Sequence, residues 1–284
     1  MNRHPLKPIT DEDRRSYAED GVVVLRGMFD SDWIERMYEA CMRSFYDRTA
    51  RGKDHTKPGD PGFFRTNLFM WMRDQDFRDF VFESPAAQIV GELMGVDRVH
   101  FFYDQLFVKE PGTEAATYWH QDLPFWPVMG NHIPSLWMAL TPVTPEMSSL
   151  EHIAGSHRWG KFYSPELSDL GKALAQEAME KCPDFGQRRD DPSLRFIRPS
   201  FEAGDIVVHH PLTVHGSGGN FSTTQRRVAL STRWFGEDCY WDRRPKTMVI
   251  EGGEPDLANG QQPFCDTFPL VWERSRAPAQ VAAA

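Results

Sequence analysis

The chain is short of cysteine and of basic residues, and these shortages exclude several classes of protein. Its four cysteines (Cys41, Cys182, Cys239 and Cys265) form no Cys-x-x-Cys pair, so neither a disulfide framework nor a zinc site is expected. Lys and Arg number 32 against 41 acidic residues, and the net charge of −9 argues against a nucleic-acid groove. No apolar run could cross a bilayer, and no apolar leader follows Met1. We therefore predict a cytoplasmic protein with neither a nucleic-acid nor a membrane partner.

The first third of the chain carries signals for helices. A hydrophobic content of 40% in 284 residues is enough for one large domain, which we place over residues 1–284. Caps, glycine stops and helical spacing of apolar residues define an N-terminal helical part over about residues 10–95. The predicted elements are a helix from Thr10 to Asp20, a buried strand between Gly21 and Gly27, a helix from Asp30 or Ser31 to about Tyr46, a loop over 47–62, and helices over 75–83 and 85–94.

After residue 96 the texture changes to short aromatic and β-branched runs separated by Pro and Gly. Such runs predict an antiparallel double sheet with helices packed outside, a mainly β fold with flanking helices. Residues 163–193 interrupt them with a charged helical stretch, Ser164 to Lys181, and a polar loop, which predicts an insertion that could act as a lid. The predicted strands are 99–109, 117–121, 134–142, 195–199, 205–209, 212–215, 226–235 and 246–250.

His120 and Asp122 are the first candidate functional residues. On an extended segment, side chains two residues apart share a face, so one imidazole and one carboxylate would point to the same place. His215 could add a second imidazole. Two His and one carboxylate with open positions is the ligand set of non-haem Fe(II) oxygenases. A half-exposed strand with a hydrogen-bonded His and a solvated Asp would give the same pattern, so the motif depends on its context.

That context is a resemblance to the phytanoyl-CoA dioxygenase family of Fe(II)/2-oxoglutarate oxygenases, over roughly residues 10–240. The resemblance implies a double-stranded β-helix, a cupin-like jelly roll, as the core over about residues 96–250. It also implies that His120, Asp122 and His215 hold Fe(II), with 2-oxoglutarate as cosubstrate and O2 as oxidant. The segments that carry it, in family order, are Gly21–Gly27, His120-Gln121-Asp122, Trp137–Leu140, Gly155-Ser156-His157, Gly204-Asp205, His210–Asn220 and Arg227–Trp234.

The far carboxylate of 2-oxoglutarate needs a buried cation, and Arg suits it because its planar fork matches a carboxylate. Arg226 has the family's usual spacing from the distal His, whereas the tail pattern Arg-x-Ala-Leu-Ser-x-Arg-aromatic favours Arg227. The two side chains point to opposite faces of a strand, and we predict that Arg227 serves. Ser217 resembles a family position that binds the same cosubstrate, and Trp137 and Gln105 could line its pocket.

Phe125 and Trp126 follow the metal motif and are candidate substrate contacts. The retained Asp122 disfavours halogenation, because halogenating relatives carry a small residue there. We predict hydroxylation of an unactivated C–H bond in a small, largely apolar metabolite, with release of succinate and CO2.

Three alternatives remain. An acyl-CoA 2-hydroxylase of the phytanoyl-CoA type would need basic residues at the mouth, for which only Arg158–Lys161 gives a hint. A non-oxidative cupin-like isomerase would bind metal without 2-oxoglutarate. A silent binding protein would keep only the fold.

Overall fold

The computed structural model describes residues 1–47, 52–165 and 179–275. These parts hold four α-helices, fourteen short and long β-strands and several single 3-10 turns. The helices are α1 Asp11–Asp20, α2 Ser31–Tyr46, α3 Gln75–Glu83 and α4 Ala86–Met94. The strands are β1 Val22–Leu25, β2 Lys53–Asp54, β3 Phe64–Leu68, β4 Arg98–Lys109, β5 Thr117–His120, β6 Val128–Met129, β7 Ser135–Ala139, β8 Glu151–Ile153, β9 Phe196–Ile197, β10 Ile206–His209, β11 His215–Ser217, β12 Arg227–Phe235, β13 Tyr240–Trp241 and β14 Leu270–Glu273.

Local capping signals set the ends of the first two helices. Thr10 and Asp13 form a capping box at the start of α1, and Gly21 ends the helix with a φ of 71° that favours glycine. Asp30 caps α2 by accepting a hydrogen bond from the Trp33 backbone N–H at 3.1 Å. The predicted bounds of all four helices are confirmed to within a residue or two.

Two antiparallel sheets form the jelly roll. The larger has eight strands in the order β1-β10-β7-β12-β4-β3-β2, with β14 also paired to β4, and the smaller has the order β5-β11-β8-β9. A separate ribbon pairs β6 with β13. This arrangement confirms the predicted fold class, a mainly β jelly roll with helices at its side.

The alternation of side chains along the larger sheet separates a helix-covered face from an inner face. Met138 and Leu230 belong to the core that the helices cover, in which α2 buries Trp33 and Phe45. Trp137, from the alternate position, belongs to a different cluster inside the barrel. The helices therefore shield one face of the sheet, and the other face is free to build a site.

Three details of the strand prediction were wrong. Residues 246–250 are irregular, although their composition is strand-like, because they pack along a cavity and the Met248 N–H donates to the Phe125 carbonyl oxygen at 2.7 Å. The strand placed at 212–215 starts at His215 instead, since Pro211 to Val214 turn the chain. Strands β2, β3, β6, β8, β13 and β14 were not predicted, because most are two to five residues long and exist only through distant partners.

Most of the predicted helix over 164–181 lies outside the described residues, and so does the tail from 277 to 284. The described flanks of the insertion meet at a bridge between Ser164 and Lys181, and beyond it Phe185 is buried with its ring 6.0 Å from that of Trp119. The lid remains a prediction. Within the described ranges, no helix has the length and apolar character that crossing a membrane requires.

Candidate metal and cosubstrate site

His120 and His215 face each other across two neighbouring strands of the smaller sheet. His120 ends β5, His215 begins β11, and the two residues are direct partners in the ladder. Their ring centroids are 4.1 Å apart. The ninety-five-residue separation in sequence is thus removed by one pair of antiparallel strands.

Asp122 joins them, but not in the way the extended His-x-Asp pattern predicted. β5 stops at His120, and Asp122 has helical torsions (φ −74°, ψ −42°) at the start of a 3-10 turn over Leu123–Phe125. The backbone N–H groups of Asp122 and Leu123 both donate to the Pro211 carbonyl oxygen at 3.0 Å. The carboxylate reaches the imidazoles because the chain turns, so the shared-face argument was wrong in mechanism though right in outcome.

The three side chains present their ligand atoms to one point. Asp122 Oδ1 lies 3.5 Å from His120 Nε2 and 3.7 Å from His215 Nε2, and the three candidate ligand atoms are all within 4.8 Å of one another. Each imidazole is oriented from behind, since Nδ1 donates to a backbone carbonyl oxygen, that of Tyr118 at 2.7 Å or of Thr213 at 2.9 Å. Both Nε2 lone pairs therefore face the point where a metal would sit.

The second oxygen of Asp122 is held by two further side chains. Ser135 Oγ donates to Oδ2 at 2.7 Å, and His209 Nε2 donates to the same atom at 3.3 Å. His209 Nδ1 in turn lies 3.3 Å from Nε2 of the buried His152. This chain of contacts fixes the carboxylate with Oδ1 toward the imidazoles.

Burial and charge divide the protonation states cleanly. Burial acts to raise the pKa of Asp122, but His215, His120, His209 and the guanidinium of Arg233 outweigh it and hold that pKa well below its usual range. Burial lowers the pKa of His215 far below its ordinary value and also lowers that of His209. The group is therefore an ionised carboxylate beside neutral imidazoles, which is the donor set that a divalent cation such as Fe(II) takes.

A cavity of about 440 Å³ opens beside these ligand atoms. Every residue predicted from the sequence for metal, cosubstrate or substrate lines it: Gln105, His120, Asp122, Phe125, Trp126, Trp137, His215, Ser217 and Arg227. Arg158 and Lys161, the hint of a phosphate site, are not part of its wall, and Lys161 pairs with Glu180 at 2.6 Å. The structure thus brings the predicted site residues together and leaves the basic hint outside.

Arg227 and Arg226 point to opposite sides of the sheet, as predicted. Arg226 is on the outside, where it pairs with Glu110 at 2.7 Å. Arg227 is buried in the cavity wall, with Nε and Nη2 donating to the Ser148 carbonyl oxygen at 3.2 and 3.1 Å, and Nη1 has no hydrogen-bond partner among the described residues. Burial lowers the pKa of Arg227 to about 9, so the guanidinium is still charged at neutral pH.

Lys109 is a second buried cation beside Arg227. The two are direct partners on β4 and β12. Lys109 Nζ donates to Ser217 Oγ at 3.2 Å and to the Gly218 carbonyl oxygen at 2.7 Å. Burial, with Arg227 nearby, lowers its pKa well below the ordinary value. This end of the cavity is positive and dry, and a small carboxylate would fit it.

Several members of the site were missed by reading the sequence. Ser135 and Lys109 gave no signal because their roles depend on partners far away in the chain. His209 was singled out only as a neighbour of the distal His motif, and Arg233 only as part of a tail pattern. The apolar segment Met248–Ile250, which walls the cavity, was taken for a strand.

A jelly roll with two His and one carboxylate at the wall of a cavity is the architecture of a non-haem iron oxygenase. The model of the phytanoyl-CoA dioxygenase (PhyH) family matches residues 17–228, and the chain belongs to this family. The prediction of an Fe(II)/2-oxoglutarate dioxygenase is thereby confirmed at the level of the family.

Relatives and solved structures agree with this assignment. Multifunctional dioxygenase prhA of Penicillium brasilianum is 27% identical over 250 residues, covering 81% of this chain and 74% of that protein. The peroxisomal phytanoyl-CoA dioxygenase of Rattus norvegicus is 26% identical over 247 residues, covering 80% and 69%. The fold is shared with the alpha ketoglutarate dependent carbocyclase SnoK of nogalamycin biosynthesis, with a TM-score of 0.73 and 21% identity over 95% of this chain and all of that one (100%).

Proposed function

We propose that the protein hydroxylates an unactivated C–H bond of a small, largely apolar metabolite, using Fe(II), 2-oxoglutarate and O2 and releasing succinate and CO2. The observation that carries the proposal is the joint geometry of the cavity wall. Three ligand atoms converge at one point, and a buried guanidinium with an unpartnered Nη1 lies on the same cavity.

In this proposal His120, Asp122 and His215 hold the iron, which with 2-oxoglutarate and O2 supplies the oxidising chemistry. Arg227 binds the far carboxylate of 2-oxoglutarate and Ser217 adds a hydrogen bond. Trp137 stacks under the Arg227 guanidinium, whose central carbon lies 5.6 Å from the ring centroid. Gln105 completes the wall at this end and helps to exclude water.

Phe125 and Trp126 belong to the substrate end of the cavity. Trp126 is fixed by a hydrogen bond from Nε1 to the Tyr103 hydroxyl at 2.8 Å, and the Phe125 ring meets the His120 ring edge-on at 5.9 Å. Rigid aromatic walls next to the metal ligands would hold an apolar substrate close to the oxidant.

The alternatives receive less support. An acyl-CoA substrate would require a phosphate site at the mouth, and the basic pair that hinted at one is not in the wall. A non-oxidative isomerase or a silent binding protein would leave the buried Arg227 without a purpose. The relatives named for nogalamycin biosynthesis and the multifunctional fungal dioxygenase favour small-metabolite chemistry.

The deciding experiment is anaerobic. Fe(II) and then 2-oxoglutarate are added to metal-free protein, and the weak visible charge-transfer band of the chelated keto acid is recorded. We expect the band in the wild type and in His4→Ala, an exposed histidine far from the cavity, and its loss in His215→Ala. Iron binding without the band would remove the main support for the proposal and move the isomerase ahead.

We also propose a cytoplasmic location, because the four cysteines are all free thiols and suit a reducing compartment. Cell fractionation with an antibody against the protein tests it, and recovery in an oxidising compartment would contradict it.

A further inference from the structure

A second guanidinium lies on the cavity, apart from Arg227. Arg233 is on the same strand, β12, and its side chain lines the same cavity. The six residues between the two positions correspond to about 20 Å of extended strand. The two guanidinium groups therefore serve different ends of the cavity and would bind different anionic groups.

Arg233 is held in place by aromatic rings. It is only 5% exposed, and the central carbon of its guanidinium lies 4.8 Å from the Tyr103 ring centroid and 5.9 Å from that of Phe107. The Tyr103 hydroxyl is itself fixed by the hydrogen bond from Trp126. This platform gives the guanidinium a set position without neutralising its charge.

The polar needs of Arg233 are largely unmet in the described part of the chain. Nη1 donates to the Ser231 carbonyl oxygen at a long 3.4 Å, while the buried Nε has no partner. No carboxylate of the described residues forms an ion pair with it within 4.0 Å. A buried cation left in this condition costs several kcal/mol.

The two carboxylates that line the cavity are already engaged. Asp122 gives Oδ1 to the metal position and Oδ2 to Ser135 and His209. Glu251 pairs with Arg73 at 2.8 Å. Arg233 is therefore a buried donor group, next to the metal ligands, that lacks an anion.

We propose that the substrate is a carboxylic acid with an apolar body, and that Arg233 binds its carboxylate. This inference rests on the proposed function. One Arg fork matches one planar carboxylate, whereas a phosphate would call for more donors than this end of the cavity offers. With the carboxylate on Arg233, the apolar body lies against Phe125, Trp126 and the Met248–Ile250 segment, beside the metal position.

The test uses the protein loaded anaerobically with Fe(II) and 2-oxoglutarate. Three acids (octanoate, 4-phenylbutanoate and adamantane-1-carboxylate) and their primary amides are titrated, and the shift of the charge-transfer band gives each Kd. A shift of the band reports binding beside the cosubstrate, and loss of the band would reveal an acid that displaces it. We expect at least one acid to bind about 10-fold or more tightly than its amide, as a charge-assisted fork should provide.

The variants assign that preference. Arg233→Gln should bring acid and amide within about 3-fold of each other, and Arg233→Lys, which keeps the charge but not the fork, should retain part of the difference. Arg226→Gln, on the outside of the sheet, is the matched control and should keep the wild-type preference. Each variant must still form the band with 2-oxoglutarate, which shows that it is folded.

Two results would overturn the inference: equal binding of all three acids and their amides in the wild type, or an acid preference that survives Arg233→Gln. Neither touches the proposed function, because the band has then already formed. Absence of the band in the wild type would instead sink the proposed function itself.

Discussion

Arg227→Gln is the substitution that tests the cosubstrate end most directly. The guanidinium is fully buried, donates to Ser148 with two of its nitrogens, and leaves Nη1 free for a ligand. Removing one partner of a buried hydrogen-bonded charge pair costs about 2–5 kcal/mol, and a central value of about 3 kcal/mol corresponds to a loss of about 150-fold in affinity. The Kd of 2-oxoglutarate should therefore rise by that order.

The neighbouring residue supplies the control. Arg226 pairs with Glu110 on the outer face, with about a quarter of its side chain exposed (27%). Such pairs contribute about 0–1 kcal/mol, and none of that passes to the cosubstrate, so Arg226→Gln should leave the Kd within about 2-fold of the wild type. Titration of the anaerobic charge-transfer band with 2-oxoglutarate measures both variants.

Stability gives an independent check on the same substitution. In the ligand-free protein the Arg227 charge is buried without an anion, so its removal should leave the free energy of unfolding unchanged or increase it. The reasoning fails if Arg227→Gln binds 2-oxoglutarate within about 3-fold of the wild type. It fails equally if Arg226→Gln is the more damaging change.

Three further substitutions test other parts of the structure. Asp122→Ala removes the only carboxylate among the three metal ligands and should abolish 2-oxoglutarate turnover, measured as succinate release; surviving turnover would refute the ligand assignment. His209→Ala removes a hydrogen bond to Asp122 Oδ2 and should weaken iron binding by about 10–100-fold in a metal titration, with an unchanged affinity counting against the positioning role. Asp104, which accepts from the Trp71 N–H at 2.9 Å under the helices, has its pKa raised by burial to about 7. The stability it contributes is complete below about pH 4 and is lost as pH rises through about 7, so Asp104→Asn should gain up to about 4 kcal/mol relative to the wild type between pH 4 and pH 8 in urea unfolding, and parallel pH profiles would show that Asp104 does not titrate this way.

The helices could be predicted from the sequence because their signals are local. Thr10 with Asp13, Asp30 and the glycine at position 21 each act within one turn, and no distant residue is needed to interpret them. The long strands β4 and β12 were also evident from their composition. Two-residue strands such as β6 and β13 have no such signal, since each exists only because the other lies beside it.

The candidate site divides in the same way. His120 and Asp122 form a local motif, and the family resemblance supplied His215 and Arg227. The contacts that hold Asp122 come from Ser135 and His209, which are 13 and 87 residues away in sequence, so only the folded sheets bring them together. Residues 246–250 show the limit of composition, because an apolar run can wall a cavity as readily as it can join a sheet.

That irregular wall has an evolutionary consequence. Arg227, Trp137 and Gln105 stand on paired strands, where gaining or losing a residue would shift the register of the whole ladder. The Met248–Ile250 segment lies outside every ladder and is tied to the barrel at Phe125, so its length and side chains can change at little cost to the fold. Oxidative machinery and substrate choice are therefore separable, and a library confined to this segment would redirect the enzyme to new molecules while its cosubstrate chemistry stays intact.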